Sequence, residues 1–224
     1  MNAVKERPIL FQGAMVRALL AGTKMQTRRA VKPQPFPDRL HRSVDSPSDS
    51  CIPGEHTWWS GNHTQGIYHT ARCPYGQPGD RLWVRENGWE RPDAQKDRDW
   101  PYAYDSDAPF GIGPFNEAYR AEGWKRRPSI HMPRWASRIL LEVTDVRVER
   151  LQDISEADAI AEGITGPHDV GYPAYRVPDD SKPRYSRAAA AYEALWDQIN
   201  GAGAWDANPW VWAVSFKRIE GAAS

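Results

Sequence analysis

The amino-acid sequence predicts a mixed α+β fold: a small β-barrel with peripheral helices and two long loop insertions. Residues 139–148 alternate between apolar and polar side chains, and the alternation slips by one residue at Thr144 and Asp145. Such a slip indicates a bulge in a long, bent strand, and strongly bent strands are typical of small closed barrels. The insertions are two Pro-, Gly- and aromatic-rich segments at about residues 32–78 and 87–135. We assign residues 1–224 to one domain, since 224 residues suffice for a single core with insertions.

A strand, a short helix and a second strand account for the start of the chain. The apolar run at residues 8–11 predicts the first strand. The helix begins near Gly13, because apolar side chains then recur on one helical face: Met15, Val16, Leu19 and Leu20. Gly22 occupies the position where a left-handed residue commonly ends a helix. Residues 26–31 are expected to be extended, and Pro33 ends that strand.

Basic and hydroxyl side chains are concentrated between this helix and the second strand, at Lys24, Thr27, Arg28 and Arg29. Two interpretations of Lys24 remain open at this point. A cation just past a helix end gains a few tenths to ~1 kcal/mol from the helix dipole, which makes Lys24 an ordinary helix-end lysine. A cation beside a hydroxyl can also bind an anion or activate a nucleophile. The second interpretation makes Lys24 and Thr27 candidates for a functional pocket.

The first insertion contains seven prolines and four glycines without sustained periodicity, so we expect an irregular loop. Five cysteines and histidines within residues 51–73 are potential zinc ligands: Cys51, His56, His63, His69 and Cys73. They are separated by four, six, five and three residues, which match none of the usual structural zinc patterns. We therefore expect no cofactor. Zinc at the best-spaced pair, His69 and Cys73, is the alternative to a free cysteine, Cys73, before a Pro-Tyr-Gly turn.

Basic and aromatic side chains interleave at residues 124–138. A Gly-Asp turn at residues 79–80 leads into a strand at residues 81–86; residues 87–116 are then loop-like, and a short strand is predicted at residues 118–120. The interleaved residues are Trp124, Lys125, Arg126, Arg127, His131, Arg134, Trp135 and Arg138. Such a composition suits a nucleobase stacked beside a phosphate. A solvated loop with one or two tryptophans against the core has the same composition.

A short capped helix precedes Gly163. Ser155 to Asp158 form a variant capping box, and Gly163 is placed to end the helix. Glu162 then lies in the last turn, where a carboxylate faces the unfavourable, negative end of the helix dipole. This placement is a mild indication of function, and a solvent-exposed glutamate with a negligible penalty is the alternative.

The end of the chain contains a second amphipathic helix and a strand. Residues 165–186 are loop-like, and residues 187–200 carry apolar side chains at helical spacing: Tyr192, Leu195, Trp196 and Ile199. Residues 210–216 alternate as a final strand.

Composition limits the possible partners. The chain has 29 basic and 29 acidic residues, which argues against a DNA-binding protein held by net charge, although a local basic patch remains possible. Its 11 Trp and 9 Tyr favour aromatic surfaces that stack on a flat ligand. No apolar run reaches the ~20 residues of a membrane span, and residues 1–7 lack a signal-peptide pattern. With two cysteines, a cytoplasmic protein is expected.

The order of these elements resembles the ASCH family, a branch of the PUA-like fold. That family carries a Gly-x-Lys-x-x-(Glu/Thr)-x-Arg signature after the first helix, matched here by Gly22, Lys24, Thr27 and Arg29. A Gly-Asp-x-Leu strand start follows at residues 79–82, and a Ser/Thr-Glu helix at residues 155–162. Stretches at residues 7–11, 73–80 and 131–135 are similar to larger ASCH proteins of phages and prophages. The resemblance implies a PUA-like small β-barrel.

The resemblance also implies an activity. Small bacterial ASCH amidohydrolases deacetylate N(4)-acetylcytidine with a lysine, a threonine and a glutamate, which correspond here to Lys24, Thr27 and Glu162. In that role Thr27 is the nucleophile or positions the attacking water, Lys24 is its base, and Glu162 carries a proton to the leaving amine. The candidates for substrate contacts are Arg29, Glu86, His131, Arg134 and Trp135. The expected partner is a nucleoside or single-stranded nucleic acid.

Two other functions remain open for such a cleft. A non-catalytic reader of RNA or modified DNA would hold a splayed base against aromatic side chains. Nucleic-acid cleavage ranks third, because the sequence offers no clear metal cluster and no paired histidines. The two insertions distinguish this chain from the small enzymes, so the substrate does not transfer directly.

Overall fold

The described part of the chain has a mixed α+β fold with four β-sheets. The computed structural model describes residues 4–35, 41–43, 55–62, 65–91, 102–107, 115–169, 173–181 and 184–219. The strands are β1 (Glu6–Leu10), β2 (Gln26–Ala30), β3 (His41–Ser43), β4 (Glu55–Asn62), β5 (Gln65–Arg72), β6 (Arg81–Arg85), β7 (Gly88–Glu90), β8 (Tyr102–Tyr104), β9 (Lys125–Arg127), β10 (Leu140–Arg150), β11 (Thr165–Asp169), β12 (Pro173–Arg176) and β13 (Trp210–Arg218). The helices are α1 (Gly13–Leu20), α2 (Phe115–Ala121), α3 (Glu156–Ala161) and α4 (Ala188–Asn200).

A five-stranded sheet in the order β1-β6-β10-β13-β2 forms the centre of the fold. Strands β1 and β6 pair in parallel, and the other neighbours are antiparallel. The longest strand, β10, contains the predicted bulge, because its register against β13 shifts between Val143 and Asp145. The bulge lets Val143 and Val148 both be buried despite the slipped alternation. This prediction is confirmed.

Helix α1 connects β1 to β2 along the chain, and these two strands are the edges of the central sheet. Within the described strands the sheet does not close, since no backbone ladder pairs β1 with β2. The two edges nevertheless approach one another, because the Arg29 side chain on β2 donates through Nη2 to the carbonyl oxygen of Leu10 on β1, at 2.5 Å. The observed architecture is therefore an open, mixed five-stranded sheet whose edges meet through a side chain.

The helix ends follow the sequence predictions. Helix α1 stops before Gly22, whose φ of 72° is the left-handed conformation that glycine adopts readily. The Ser155 side chain accepts a hydrogen bond from the backbone N–H of Asp158, which confirms the N-cap of α3. Glu162 is the C-cap of α3, and Gly163 follows with φ 105°. Helix α4 also lies where its periodicity predicted it.

The expectation of an irregular first insertion is wrong. Strands β3, β4 and β5 form an antiparallel sheet between residues 41 and 72. Its anchor is Trp58, which is fully buried and packs edge-on against Trp210 and Trp212 of β13. Large aromatic side chains bury much area per residue, so a few of them stabilise a strand without an aliphatic alternation. This is why the periodicity of the sequence did not indicate these strands.

Two further segments expected to be loops also contain strands. In the second insertion β7 pairs with β8 and β9, and residues 118–120, predicted as a strand, belong to helix α2. Tyr119 of α2 packs between Trp89 and Trp124, and these contacts stabilise the helix. Three residues are too few to show the helical periodicity that would have predicted it. Strands β11 and β12 form a hairpin within residues 165–176.

None of the helices in the described part of the chain has both the length and the apolar character to cross a membrane.

Candidate active site

A cavity of about 580 Å³ lies where the ends of the edge strands meet helix α4. The lining consists of residues 10–12 at the end of β1, residues 27–32 of β2 and its continuation, and one face of α4. The β5 end of the first insertion closes another side, through residues 71, 72, 74 and 75. Lys24, Thr27 and Glu162 all line this cavity, so the fold brings the three catalytic candidates together across 138 positions of sequence.

Lys24 and Glu162 form a buried ion pair at the cavity wall. The Nζ atom of Lys24 lies 2.7 Å from Oε2 of Glu162 and donates a second bond, at 2.8 Å, to the Glu162 backbone carbonyl. The two side chains are only 2% and 3% exposed, so the pair is almost completely removed from water. An ammonium and a carboxylate in this arrangement can exchange a proton across one short hydrogen bond.

Burial lowers the pKa of Lys24 from its ordinary value, and the Arg29 and Arg28 charges act in the same direction. The charge of Glu162 and its hydrogen bond oppose this effect without cancelling it. A lysine with a lowered pKa is more easily deprotonated, which is the property that a lysine base requires. The site therefore favours the use of Lys24 as a proton acceptor.

The second carboxylate oxygen of Glu162 faces a tyrosine and an arginine. The Tyr192 hydroxyl on α4 and Nη1 of Arg28 each lie 3.4 Å from Oε1 of Glu162. These contacts are long for hydrogen bonds and therefore weak, so they orient the carboxylate but contribute little binding energy. Burial raises the pKa of Tyr192 well above its ordinary value, which keeps this hydroxyl protonated and able to donate.

Arg28 is the centre of a buried polar network at the cavity wall. Its guanidinium donates to Glu149 through Nε at 2.9 Å and to Gln26 at 2.6 Å, and forms an ion pair with Asp158 at 3.2 Å. Gln26 in turn donates to Asp158 at 3.1 Å. A buried charge with several satisfied partners resists displacement. This network fixes β2 against α3, and with it the relative positions of Lys24 and Glu162.

Thr27 sits on β2 opposite Val214 of β13 and is 4% exposed. Lys24 and Thr27 reach the same cavity because the chain turns at Gly22 and enters β2 between them. Among the side-chain hydrogen bonds of the described residues, none engages the Thr27 hydroxyl. The hydroxyl is therefore available to a ligand or a water in the cavity.

Arg29 is the one predicted substrate contact that lines the cavity. Its guanidinium carbon lies 5.3 Å from the centre of the Phe11 ring, and Nη2 binds the Leu10 carbonyl. A stacked and hydrogen-bonded guanidinium is held in one orientation, which suits recognition of a planar or anionic group.

The other four predicted substrate contacts lie outside the cavity lining. Glu86 is buried and forms an ion pair with Arg138 at 2.9 Å. Arg134 pairs with Glu6 at 3.1 Å, and His131 lies exposed in a short 3₁₀ helix. Trp135 packs against a small cluster around Tyr102, Met132 and Ala136. The arrangement that unites Lys24, Thr27 and Glu162 thus does not extend to these four.

The zinc alternative finds little support in the described residues. They contain no group of three or more His, Cys, Asp or Glu side chains arranged to hold a metal ion. His69 packs against Trp58, with 5.7 Å between ring centres, and Cys73 is buried. Burial raises the pKa of the Cys73 thiol to about 12, which disfavours the thiolate that zinc requires. Cys51 and His63 lie outside the described residues.

Sequence reasoning missed Arg28 and Tyr192 as parts of the site. Arg28 was only one of several charges in its stretch, and Tyr192 appeared as one of four apolar positions on the face of α4. An available signal was the hydroxyl group, since a tyrosine at a fully buried position needs a hydrogen-bond partner. The identity of that partner, Glu162, follows only from the packing of α4 on α3.

Comparisons with protein-family models, curated proteins and solved structures each returned no match to this chain.

Proposed function

We propose that this protein is a hydrolase of the amidohydrolase type that acts on an N-acylated nucleoside or base resembling N(4)-acetylcytidine. One observation carries the proposal: the buried Lys24–Glu162 pair, with 2.7 Å between Nζ and Oε2, lines the same cavity as Thr27. Amide hydrolysis needs a nucleophile, a proton acceptor and a proton donor for the leaving amine. The three side chains supply one group for each role.

The proton transfers follow from the ion pair. Transfer of a proton from Lys24 to Glu162 along their hydrogen bond gives a neutral amine and a carboxylic acid. The neutral amine accepts the proton of the Thr27 hydroxyl as its oxygen attacks the acyl carbon, or the proton of a water that Thr27 positions. Protonated Glu162 then donates to the departing ring amino group as the C–N bond breaks. If Thr27 attacks, a water releases the acyl group as a free acid.

The size and lining of the cavity support a nucleoside-sized ligand. Cavities that bind small molecules are typically ~300–1,000 Å³, and this one is about 580 Å³. Its aromatic lining consists of Phe11, Tyr75, Tyr192, Trp196 and Trp212. Flat aromatic side chains suit a nucleobase, because base and ring stack face to face.

We also propose that the fold is of the PUA-like type. The support is the bulged β10 in an open five-stranded sheet whose two edges meet through Arg29 and Leu10. A sheet that bends until its edges touch has the curvature of a small barrel.

The direct test is to incubate the protein with N(4)-acetylcytidine and to follow cytidine and acetate by chromatography. We expect deacetylation by the wild-type protein and by Thr27→Ser, and its loss in Thr27→Val, which keeps the shape but removes the nucleophilic oxygen. Thr23→Val is the matched control. Thr23 lies in the same stretch and its hydroxyl donates to the Ala18 carbonyl at 3.2 Å, outside the cavity lining. Full activity of Thr27→Val would exclude both roles of Thr27.

A non-catalytic reader of RNA or modified DNA is the second candidate. The aromatic and cationic lining of the cavity favours it, since a base could bind there without being cleaved. A reader would bind cytidine-containing oligonucleotides in a salt-dependent manner, release no product, and retain its affinity in Thr27→Val.

A further inference from the structure

The charges that line the cavity are unbalanced. Five cationic side chains line it, and Glu162 is the one carboxylate among the lining residues; the cations are Lys24, Arg28, Arg29, Lys32 and Arg72. Lys24 is matched by Glu162, and Arg28 by Glu149 and Asp158. Arg72 pairs with Glu55 at 3.6 Å. Arg29 and Lys32 form no ion pair with any carboxylate in the described part of the chain.

Arg29 is held in place by groups that do not neutralise it. The Leu10 carbonyl accepts from Nη2 and the Phe11 ring lies beneath the guanidinium, while its buried Nε has no hydrogen-bond partner. One of five N–H groups is therefore used by Leu10. The charge of Arg29 lowers the pKa of Lys24, and it opposes the burial that raises the pKa of Tyr75 and Tyr192. The charge of Arg29 thus affects the pKa values of three separate lining residues.

Lys32 lies three residues after Arg29, just beyond the end of β2, and its side chain is exposed. Lysine and arginine side chains are the usual protein ligands of phosphate, the guanidinium through paired N–H groups and the ammonium as a point charge. Both side chains line the cavity, so a phosphate bound there has a fixed guanidinium and an exposed ammonium as possible ligands.

We propose that Arg29 and Lys32 form a phosphate-binding subsite, so that the cavity takes a phosphorylated cytidine derivative in preference to a free nucleoside. This inference rests on the proposed function, which places a cytosine-like base in the aromatic part of the cavity. Two kinds of ligand carry such a phosphate group: a 5′-mononucleotide and a nucleotide within a single strand.

The test measures binding without hydrolysis. Trp196 and Trp212 line the cavity, so their fluorescence can report on titration with cytidine, cytidine 5′-monophosphate and a short oligocytidylate. We expect the monophosphate to bind about tenfold more tightly than cytidine, as one charge-assisted contact allows. Arg29→Gln and Lys32→Gln should each reduce this ratio of Kd values. Lys217→Gln is the matched control, because Lys217 is an exposed lysine paired with Glu142 at 3.0 Å and does not line the cavity.

The outcomes separate the subsite from the reaction. Equal Kd values for cytidine and its monophosphate, or no detectable binding of any of the three ligands, would overturn the subsite. A monophosphate preference in a protein that never releases acetate from N(4)-acetylcytidine would retain the subsite and remove the amidohydrolase. Deacetylation without any phosphate preference would do the reverse. Tighter binding of the oligocytidylate than of the monophosphate identifies the single strand as the source.

Discussion

The ammonium group of Lys24 binds both the side-chain carboxylate and the backbone carbonyl of Glu162, at 2.7 and 2.8 Å. Lys24 follows helix α1 in sequence, yet its charge is used at the end of helix α3. There it offsets the unfavourable position of Glu162, whose carboxylate lies at the negative end of a helix dipole. The Lys24 charge therefore acts at the end of α3 and not, as the helix-end interpretation expected, at the end of α1, while its role in a functional pocket stays a prediction.

Because Lys24 and Glu162 depend on each other in this double contact, substitutions of the pair should change stability and activity to different extents. Lys24→Met leaves the Glu162 carboxylate buried without its closest partner, which typically costs about 3–5 kcal/mol of unfolding free energy. The double variant Lys24→Met/Glu162→Gln removes the uncompensated charge and should recover most of that loss. Both variants should lose deacetylation by about 10²–10⁴-fold. Urea unfolding and the chromatographic assay measure the two effects. A double variant no more stable than Lys24→Met would contradict the account.

The dependence of activity on pH should reveal the lowered pKa of Lys24. Because the mechanism needs one proton on the Lys24–Glu162 pair, kcat/KM for N(4)-acetylcytidine should fall as the pH rises through the pKa of Lys24, which lies below the ordinary lysine value of 10.5. Stability should increase with pH between that lowered pKa and 10.5, since there the unfolded chain binds more protons than the folded one. Arg29→Gln removes one charge that lowers this pKa, so its activity profile should shift to higher pH. An unchanged or acid-shifted profile would count against Lys24 as the base.

The Tyr192 hydroxyl should contribute modestly to activity. Tyr192→Phe keeps the buried ring and removes one long hydrogen bond, at 3.4 Å, to Glu162. We expect a decrease in kcat of up to about tenfold, the size of one neutral hydrogen bond, with little change in KM. Tyr104→Phe is the control, because Tyr104 donates to the Ala136 carbonyl outside the cavity lining. Equal effects of the two variants on kcat would remove Tyr192 from the site.

The first insertion should influence substrate binding through Trp58. This side chain is fully buried and packs against Trp212, which lines the cavity. Trp58→Ala should lower the free energy of unfolding by about 3–5 kcal/mol and raise KM. Trp89→Ala, in the sheet of β7, β8 and β9, removes an equally buried tryptophan and should be destabilising without raising KM. Thermal unfolding and steady-state kinetics distinguish the two variants.

Local signals were sufficient for several elements. The Ser155 cap, the glycine after α1 and the bulge at Val143 are each determined by a few neighbouring residues, and the structure has all three. The β4–β5 hairpin could not be predicted in this way. Trp58 is buried against Trp210 and Trp212, about 150 positions later in the chain, and no local period records such a contact.

The candidate site shows the same division. Lys24 and Thr27 are neighbours in sequence, and Glu162 is marked by its position at a helix end. The partners that orient them, Arg28 and Tyr192, are identified only by tertiary contacts. Glu86 was a candidate for a substrate contact, but its charge is matched by Arg138, which donates to both of its carboxylate oxygens.

The contact between Arg29 and the Leu10 carbonyl has a consequence for how such a cavity can change in evolution. A backbone ladder would fix the spacing of two strands at about 4.8 Å, whatever their side chains. Here the edges of β1 and β2 are bridged by a long side chain, and residues on both edges line the cavity. Replacing residues at this contact can widen or narrow the cavity while every strand pairing of the central sheet is retained. The scaffold can thus accommodate ligands of different sizes without a new fold.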